Sequence, residues 1–161
     1  MAWTAPSTWV AGAILTAAQL NEQLRDNMNV LAPFAAAWTS WTPTLTQTGA
    51  VTKTVTSATY VQVGKLVIAQ FNLSVTGAGT LGVGVLMGLP VTALGSLKSV
   101  GTCAIFDTSA STTYGGTCTS LSTTTVGFVG DWSGANTWGS GPSLALANGD
   151  VIRGTLTYEA A

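Results

Sequence analysis

The sequence predicts a mainly β protein, an antiparallel β-sandwich or jelly roll preceded by an N-terminal extended arm and one amphipathic α-helix. Three observations carry this. From Val51 onward apolar residues recur with period two, Gly, Ser and Asn clusters cut the chain into strand-length runs, and only the stretch ending at Leu31 combines a helical period with start and stop signals. At 161 residues the chain accommodates one domain with a real core. The expected division is residues 1–43, an attachment arm with its helix, and residues 44–161, the β-domain.

The helix opens at Thr16, whose hydroxyl can take a free amide of the first turn while Gln19 reaches back, a capping box. Pro33 is expected to end it by disfavouring helical geometry at Ala32. At 100° per residue, Ala17, Leu20, Leu24, Asn27, Met28 and Leu31 fall on one side, with Gln19, Glu22, Gln23, Asp26 and Asn29 on the other. The 3-4-3-4 spacing of the apolar stripe is that of a heptad seam, with Asn27 as the polar core residue that fixes register and partner number. A helix of about 15 residues is marginal in water, so it must lie on its own β-domain, on copies of itself, or on another protein. Before it, Trp3, Pro6 and Trp9 form an extended aromatic lead-in that needs a cover. The candidate attachment and oligomer interface is therefore Trp3, Trp9, Leu20, Leu24, Asn27, Met28 and Leu31.

In the β-domain, residues 60–75 read as one long strand with a break or bulge near Gly64, and Val67, Ala69, Phe71, Leu73 and Val75 share its core face. The same parity resumes at Leu81, Val83, Val85 and Met87, which predicts a hairpin pairing Val75 with Leu81 around residues 76–80. Gly82, Gly84 and Gly88 leave its other face bare, open to another strand or subunit or marking a bulge. Further strand-like runs are residues 100–107, 114–121, 124–129, 143–147 and 151–158, with a tight turn at Asn148-Gly149 and Ile152, Leu156 and Tyr158 on one face of the last. A hairpin around residues 108–113 would set Cys103 directly opposite Cys118; cytosolic synthesis favours free thiols over a strained cross-strand bridge.

Only 7% of residues are charged, against a norm of about 25%, and the net charge is −1. A surface so poor in charge is expected where identical or foreign subunits cover it. The five basic residues make no patch for a phosphate backbone, so nucleic acid is not an expected partner. The uncharged run from Leu66 to Leu97 is broken into strand-length pieces, so no membrane span is expected, and the N-terminus has no signal-peptide pattern.

Catalytic chemistry is poorly provided for. There is no His, and Asp107, Asp131 and Asp150 each sit beside turn residues, where Asp serves the backbone. No phosphate-binding loop, C-x-x-C or calcium loop is present, so neither an enzyme nor a cofactor or metal is expected. The one stretch with a binding-site composition is residues 130–142, where Asp131, Trp132, Asn136 and Trp138 have the residue types of a sugar site; the alternative is that Trp138 covers the end of the β-domain.

The opening Trp3-Thr-Ala-Pro-x-Thr-Trp-Val-Ala-Gly, followed by Leu15-Thr-Ala-Ala-Gln-Leu-Asn and Leu24-Arg-Asp-Asn, resembles the N-terminal arm of small virion structural proteins of tailed bacteriophages. Tyr60-Val-Gln-Val-Gly-Lys65, Gly88-Leu-Pro90 and residues 147–158 are similar to strands of phage fibre, minor tail and capsid-decoration domains. The resemblance implies a virion component, often a homotrimer, attached to other virion proteins of capsid or tail through its N-terminal segment with the β-domain facing outward; the lack of a signal-peptide pattern makes synthesis in the host cytoplasm the expectation. It carries no catalytic residues. The competing expectation is a glycan-binding module that reads host-surface sugar through Trp132 and Trp138.

Overall fold

The computed structural model describes residues 4–96, 98–130, 137–141 and 143–161. Nearly half of these lie in one antiparallel sheet of β1 (Thr39–Ser40), β2 (Leu45–Gln47), β3 (Gly49–Ala50), β4 (Lys53–Val63), β5 (Leu66–Val75), β6 (Leu86–Gly88), β7 (Lys98–Asp107), β8 (Thr112–Ser120), β9 (Thr125–Gly130) and β10 (Val151–Glu159). Their order is β1-β4-β5-β10-β7-β8-β9-β6-β2-β3. β3 and β4 follow each other in the chain yet stand at opposite ends of this order. Residues 51 and 52 therefore join the two ends: Val51 N–H donates to the Leu45 carbonyl beside β2 at 2.8 Å, while the Thr52 carbonyl accepts from Thr76 N–H beyond β5 at 2.9 Å. The sheet curls around one apolar core that includes Leu45, Phe71, Leu73, Met87, Phe128, Ile152 and Leu156.

β5 alternates as its sequence requires, with Val67, Ala69, Phe71, Leu73 and Val75 buried and the intervening residues partly or fully exposed. Its surroundings differ from the expected ones in two places. Gly64 marks a reversal, not a bulge: with φ +58 it opens a two-residue turn that pairs Val63 with Leu66 and makes β4 and β5 a hairpin. The hairpin of Val75 with Leu81 does not form, because the other edge of β5 is occupied over its whole length by β10, from Val151↔Ser74 to Glu159↔Leu66. Leu81 is left exposed, and β6 pairs instead with β9 and β2. The bare positions Gly84 and Gly88 are filled from within the chain, by the side chains of Thr137 and Thr44, so neither admits a second subunit.

The β7–β8 hairpin closes two residues earlier than expected. The Asp107 carboxylate accepts from Ser109 N–H at 2.8 Å, Ser109 Oγ at 2.6 Å and Ala110 N–H at 3.0 Å, which pulls the loop into residues 108–111 and pairs Asp107 with Thr112. Cys103 is consequently opposite Gly116, and Cys118 opposite Gly101. Both thiols are free and buried. The hydrogen bond to Cys103, with burial second, pushes the Cys118 thiol far above its usual range, so it stays protonated at neutral pH.

One row of the register reads Phe71–Gly154–Cys103–Gly116 across β5, β10, β7 and β8. A side chain at Gly154 would collide with the Phe71 ring, which lies 6.2 Å from Phe128, so glycine here lets the curled sheet close on its aromatic centre. The segment 143–147, expected as a strand, is tied down by Gln47. This fully buried carboxamide donates to the carbonyls of Val83 at 2.8 Å and Leu144 at 2.7 Å, and accepts from Leu146 N–H at 2.9 Å.

Candidate functional site

The expected capping box forms: Gln19 N–H donates to Thr16 Oγ1 at 3.2 Å, and Thr16 N–H to Gln19 Oε1 at 2.9 Å. Beyond this first turn the chain does not continue as one regular helix. It winds as α1 (Ala17–Leu20), a wider π-helical stretch Asn21–Asp26, and α2 (Asn27–Asn29), then breaks at Val30–Leu31. Pro33 does not terminate this segment; it sits in the first turn of a further short helix, α3 (Ala32–Ala35), where its missing N–H costs nothing.

Asn27 has a different partner from the one its place in the heptad suggested. Its side chain is only 5% exposed, and its Oδ1 accepts from Thr4 N–H at 3.0 Å while its Nδ2 donates to the Thr4 carbonyl at 3.0 Å. One turn earlier Gln23 Oε1 accepts from Ser7 N–H at 2.8 Å. The two carboxamides thus hold the extended lead-in along the helix. A carboxamide sets an accepting oxygen beside a donating amino group, the complement of one residue's N–H and C=O, and Nδ2 donates a second time to the Gln23 carbonyl at 3.4 Å, so Asn27 is bonded inside its own chain.

The apolar residues have the opposite fate. Leu20, Leu24, Met28 and Leu31 are all exposed, Leu24 to 57% and Met28 to 70%, and Trp9, Val10, Ile14 and Phe34 lie open beside them. Asn27 is the one buried residue of the helical pieces. The main contact of this segment with the sheet is α3 on β4, flanked by a groove of about 510 Å³ between Ala32, Pro33 and Ala36 on one side and Tyr60, Val61 and Gln62 on the other. β1, within the residues assigned to the arm, pairs with β4 through Thr39↔Tyr60 and Ser40↔Thr59. The only ion pair among the described residues, Arg25 Nε to Asp26 Oδ1 at 2.8 Å, is also on this segment and leaves the apolar stripe uncharged. Trp3 lies outside the described residues.

Of the sugar-site candidates, Asp131, Trp132 and Asn136 also lie outside the described residues. Trp138 is 2% exposed, edge-on to Tyr114 with ring centroids 5.4 Å apart. An indole so buried has no face for a pyranose ring, so Trp138 closes the end of the core, the alternative its sequence context left open. The cavity beside it, about 10 Å³ between Tyr114, Phe128 and Gly116, has room for one water at most.

The described aspartates of the β-domain are structural. Asp107 closes its turn, and the Ser109 hydroxyl holds its carboxyl below the usual range against the opposing effect of burial. Asp150 is buried with Oδ1 on Thr108 N–H at 2.9 Å and Oδ2 on Ala147 N–H at 2.8 Å, which ties the Asn148-Gly149 turn to the β7–β8 loop. Tyr158 donates to the Val91 carbonyl at 2.8 Å, and burial pushes its phenol up to about 12. Among the described residues no cluster of three His, Cys, Asp or Glu could hold a metal, and no helix is long and apolar enough to cross a membrane. Gln47, whose buried carboxamide bonds to the backbone of Val83, Leu144 and Leu146, carries no signal in the sequence beyond one polar residue in a strand.

Comparison of this chain with protein-family models, with characterised proteins and with solved structures finds no match.

Proposed function

We propose that this chain is a structural component of a bacteriophage virion: an oligomeric surface protein, of capsid-decoration or tail and fibre type, attached through residues 1–43 and presenting residues 44–161 outward as a β-sandwich or jelly roll. The observation that carries the proposal is the exposed stripe Leu20, Leu24, Met28 and Leu31 on a segment whose capping box and whose Gln23 and Asn27 side chains are engaged within the chain. A helix this short does not hold in water by propensity alone, and each of these side chains gains about 1.5–3 kcal/mol when fully buried. The low charge of the chain and the resemblance of residues 3–31 to phage virion arms support the same reading. The absence of His and the structural use of Asp107 and Asp150 accord with a non-enzymatic role.

The test is deletion of residues 2–31. The expected product is a soluble, folded β-domain that no longer joins the particle, while Leu24→Asp in the full chain folds but fails to join, since a carboxylate would enter the interface without a partner. Immunogold labelling of purified particles locates the full-length protein. A truncated protein that is insoluble or unfolded overturns the proposal, because the helical segment would then belong to the core of the β-domain.

A further inference from the structure

The outer face of the sheet carries a polar platform that has no part in the attachment reading. On β4, β5 and β10 the register sets its side chains in two rows across the strands, Ser57↔Asn72↔Arg153 and, one step along, Thr59↔Gln70↔Thr155. The second row continues onto β7 with Thr102 opposite Thr155. Its members are linked sideways, Gln70 Nε2 donating to Thr59 Oγ1 at 3.2 Å and the Thr102 and Thr155 hydroxyls meeting at 3.4 Å. Between the rows lies an open depression of about 410 Å³ lined by Ser57, Gln70, Asn72, Arg153 and Thr155.

Two groups lining this depression, the buried Asn72 Oδ1 and the exposed guanidinium of Arg153, have no protein partner among the described residues. Asn72 Oδ1 is buried and receives no hydrogen bond among the described residues, a standing cost for an acceptor removed from water. Arg153, directly opposite on β10, has no hydrogen-bond or ion-pair partner for its guanidinium among the described residues. A ligand bearing both a carboxylate and hydroxyl groups supplies what each is missing, since guanidinium pairs with carboxylate through two parallel bonds and a hydroxyl donates to an amide oxygen. Arg153 is the one cation lining the depression, which suits one carboxylate and would leave a polyphosphate uncompensated. Adjacent strands are about 4.8 Å apart, close to the length of one sugar in an extended chain, so a saccharide lying across the strands presents one unit to each.

From this we infer that the outer face of β4, β5 and β10 binds an extended acidic saccharide, its carboxylate on Arg153 and its hydroxyls on Asn72, Gln70 and Thr155. None of the residues lining it belongs to the 130–142 stretch or to the helical segment. Titration of the full chain with an oligogalacturonate, a neutral cello-oligosaccharide of equal length and sodium phosphate, each followed by calorimetry and amide chemical shifts, tests it. Saturable binding of the galacturonate is expected, with shifts confined to β4, β5, β10 and the adjoining part of β7. Arg153→Ala should weaken it at least tenfold and Gln70→Ala several-fold, with thermal unfolding of both variants unchanged, as befits exposed side chains. The neutral oligosaccharide should bind more weakly and be indifferent to Arg153→Ala. The inference is overturned if the galacturonate does not saturate, if Arg153→Ala leaves its affinity unchanged, or if phosphate alone fills the site as tightly.

Discussion

In the curled sheet the side chains turned inward are Leu73, Phe128, Ile152 and Leu156, and the outer face carries Thr, Ser, Asn and Gln; in the helical segment the buried residue is Asn27, and Leu20, Leu24, Met28 and Leu31 are outside. The two regions thus obey opposite rules of burial within a single chain. In the helical segment Thr16, Gln19, Gln23 and Asn27 bond within the chain, whereas its apolar surface is left exposed. The sheet buries most of its large apolar side chains, while Asn72 Oδ1 on β5 is left buried without a partner among the described residues. Contiguous exposed apolar surface of this kind is what marks interaction sites on proteins in general, and the proposed attachment rests on it.

Truncating the same residue type in the two regions should separate them most sharply. Leu156→Ala removes a fully buried side chain from the centre of the curled sheet and is expected to cost about 2–5 kcal/mol in chemical denaturation, whereas Leu24→Ala should change the stability of the isolated chain by no more than about 0.5 kcal/mol. Equal losses at the two positions would break the comparison.

Gln47→Ala comes next. It strands the carbonyls of Val83 and Leu144 and the N–H of Leu146, and with about 1–3 kcal/mol for each group left buried and unpaired it should rank with a core truncation. Hydrogen exchange should then rise in residues 79–85 and 143–147 before it rises in β5 or β10.

How much of this was legible in the sequence depends on where the signals are local. The capping box at Thr16 and the alternation of β5 were readable because each depends on residues adjacent in the chain. The reversal at Gly64 was not, since the apolar period two runs on through Val63 and Val67 whether the chain bends or turns back. The early closure of the β7–β8 loop lay in Asp107, recognisable as a turn residue but not as the one that shifts the cysteines out of register. At Asn27 periodicity places a carboxamide on a face without saying whether its neighbour is another copy or Thr4 of the same chain, and the π-helical winding of Asn21–Asp26 interrupts the heptad spacing itself. No pattern announces Gln47 or the Asn72–Arg153 pair, because a lone polar residue in a strand reads the same buried or exposed.

Asp107 gives a pH test of the sheet alone. Its folded carboxyl lies below its unfolded value, so it contributes stability above the unfolded pKa that is lost as pH falls through the folded one. Unfolding midpoints should therefore fall on acidification below about pH 4, and Asp107→Asn should flatten part of that fall. An unchanged acid limb in the variant would remove Asp107 from the account.

The smallest effect is expected at Asn27. Asn27→Ala frees the backbone of Thr4 and should speed amide exchange there while leaving the sheet's unfolding midpoint within about 0.5 kcal/mol of the parent, as for a substitution remote from the core. If the sheet is destabilised as much as by Leu156→Ala, the lead-in and helix are part of its core.

On the proposed function the apolar stripe of the helical segment is buried between molecules. Light scattering of the full chain and of a chain lacking residues 2–31, both at micromolar concentration, tests it most directly. The account predicts a trimer for the full chain and a folded monomer for the shortened one; a full chain that is a monodisperse monomer would contradict it.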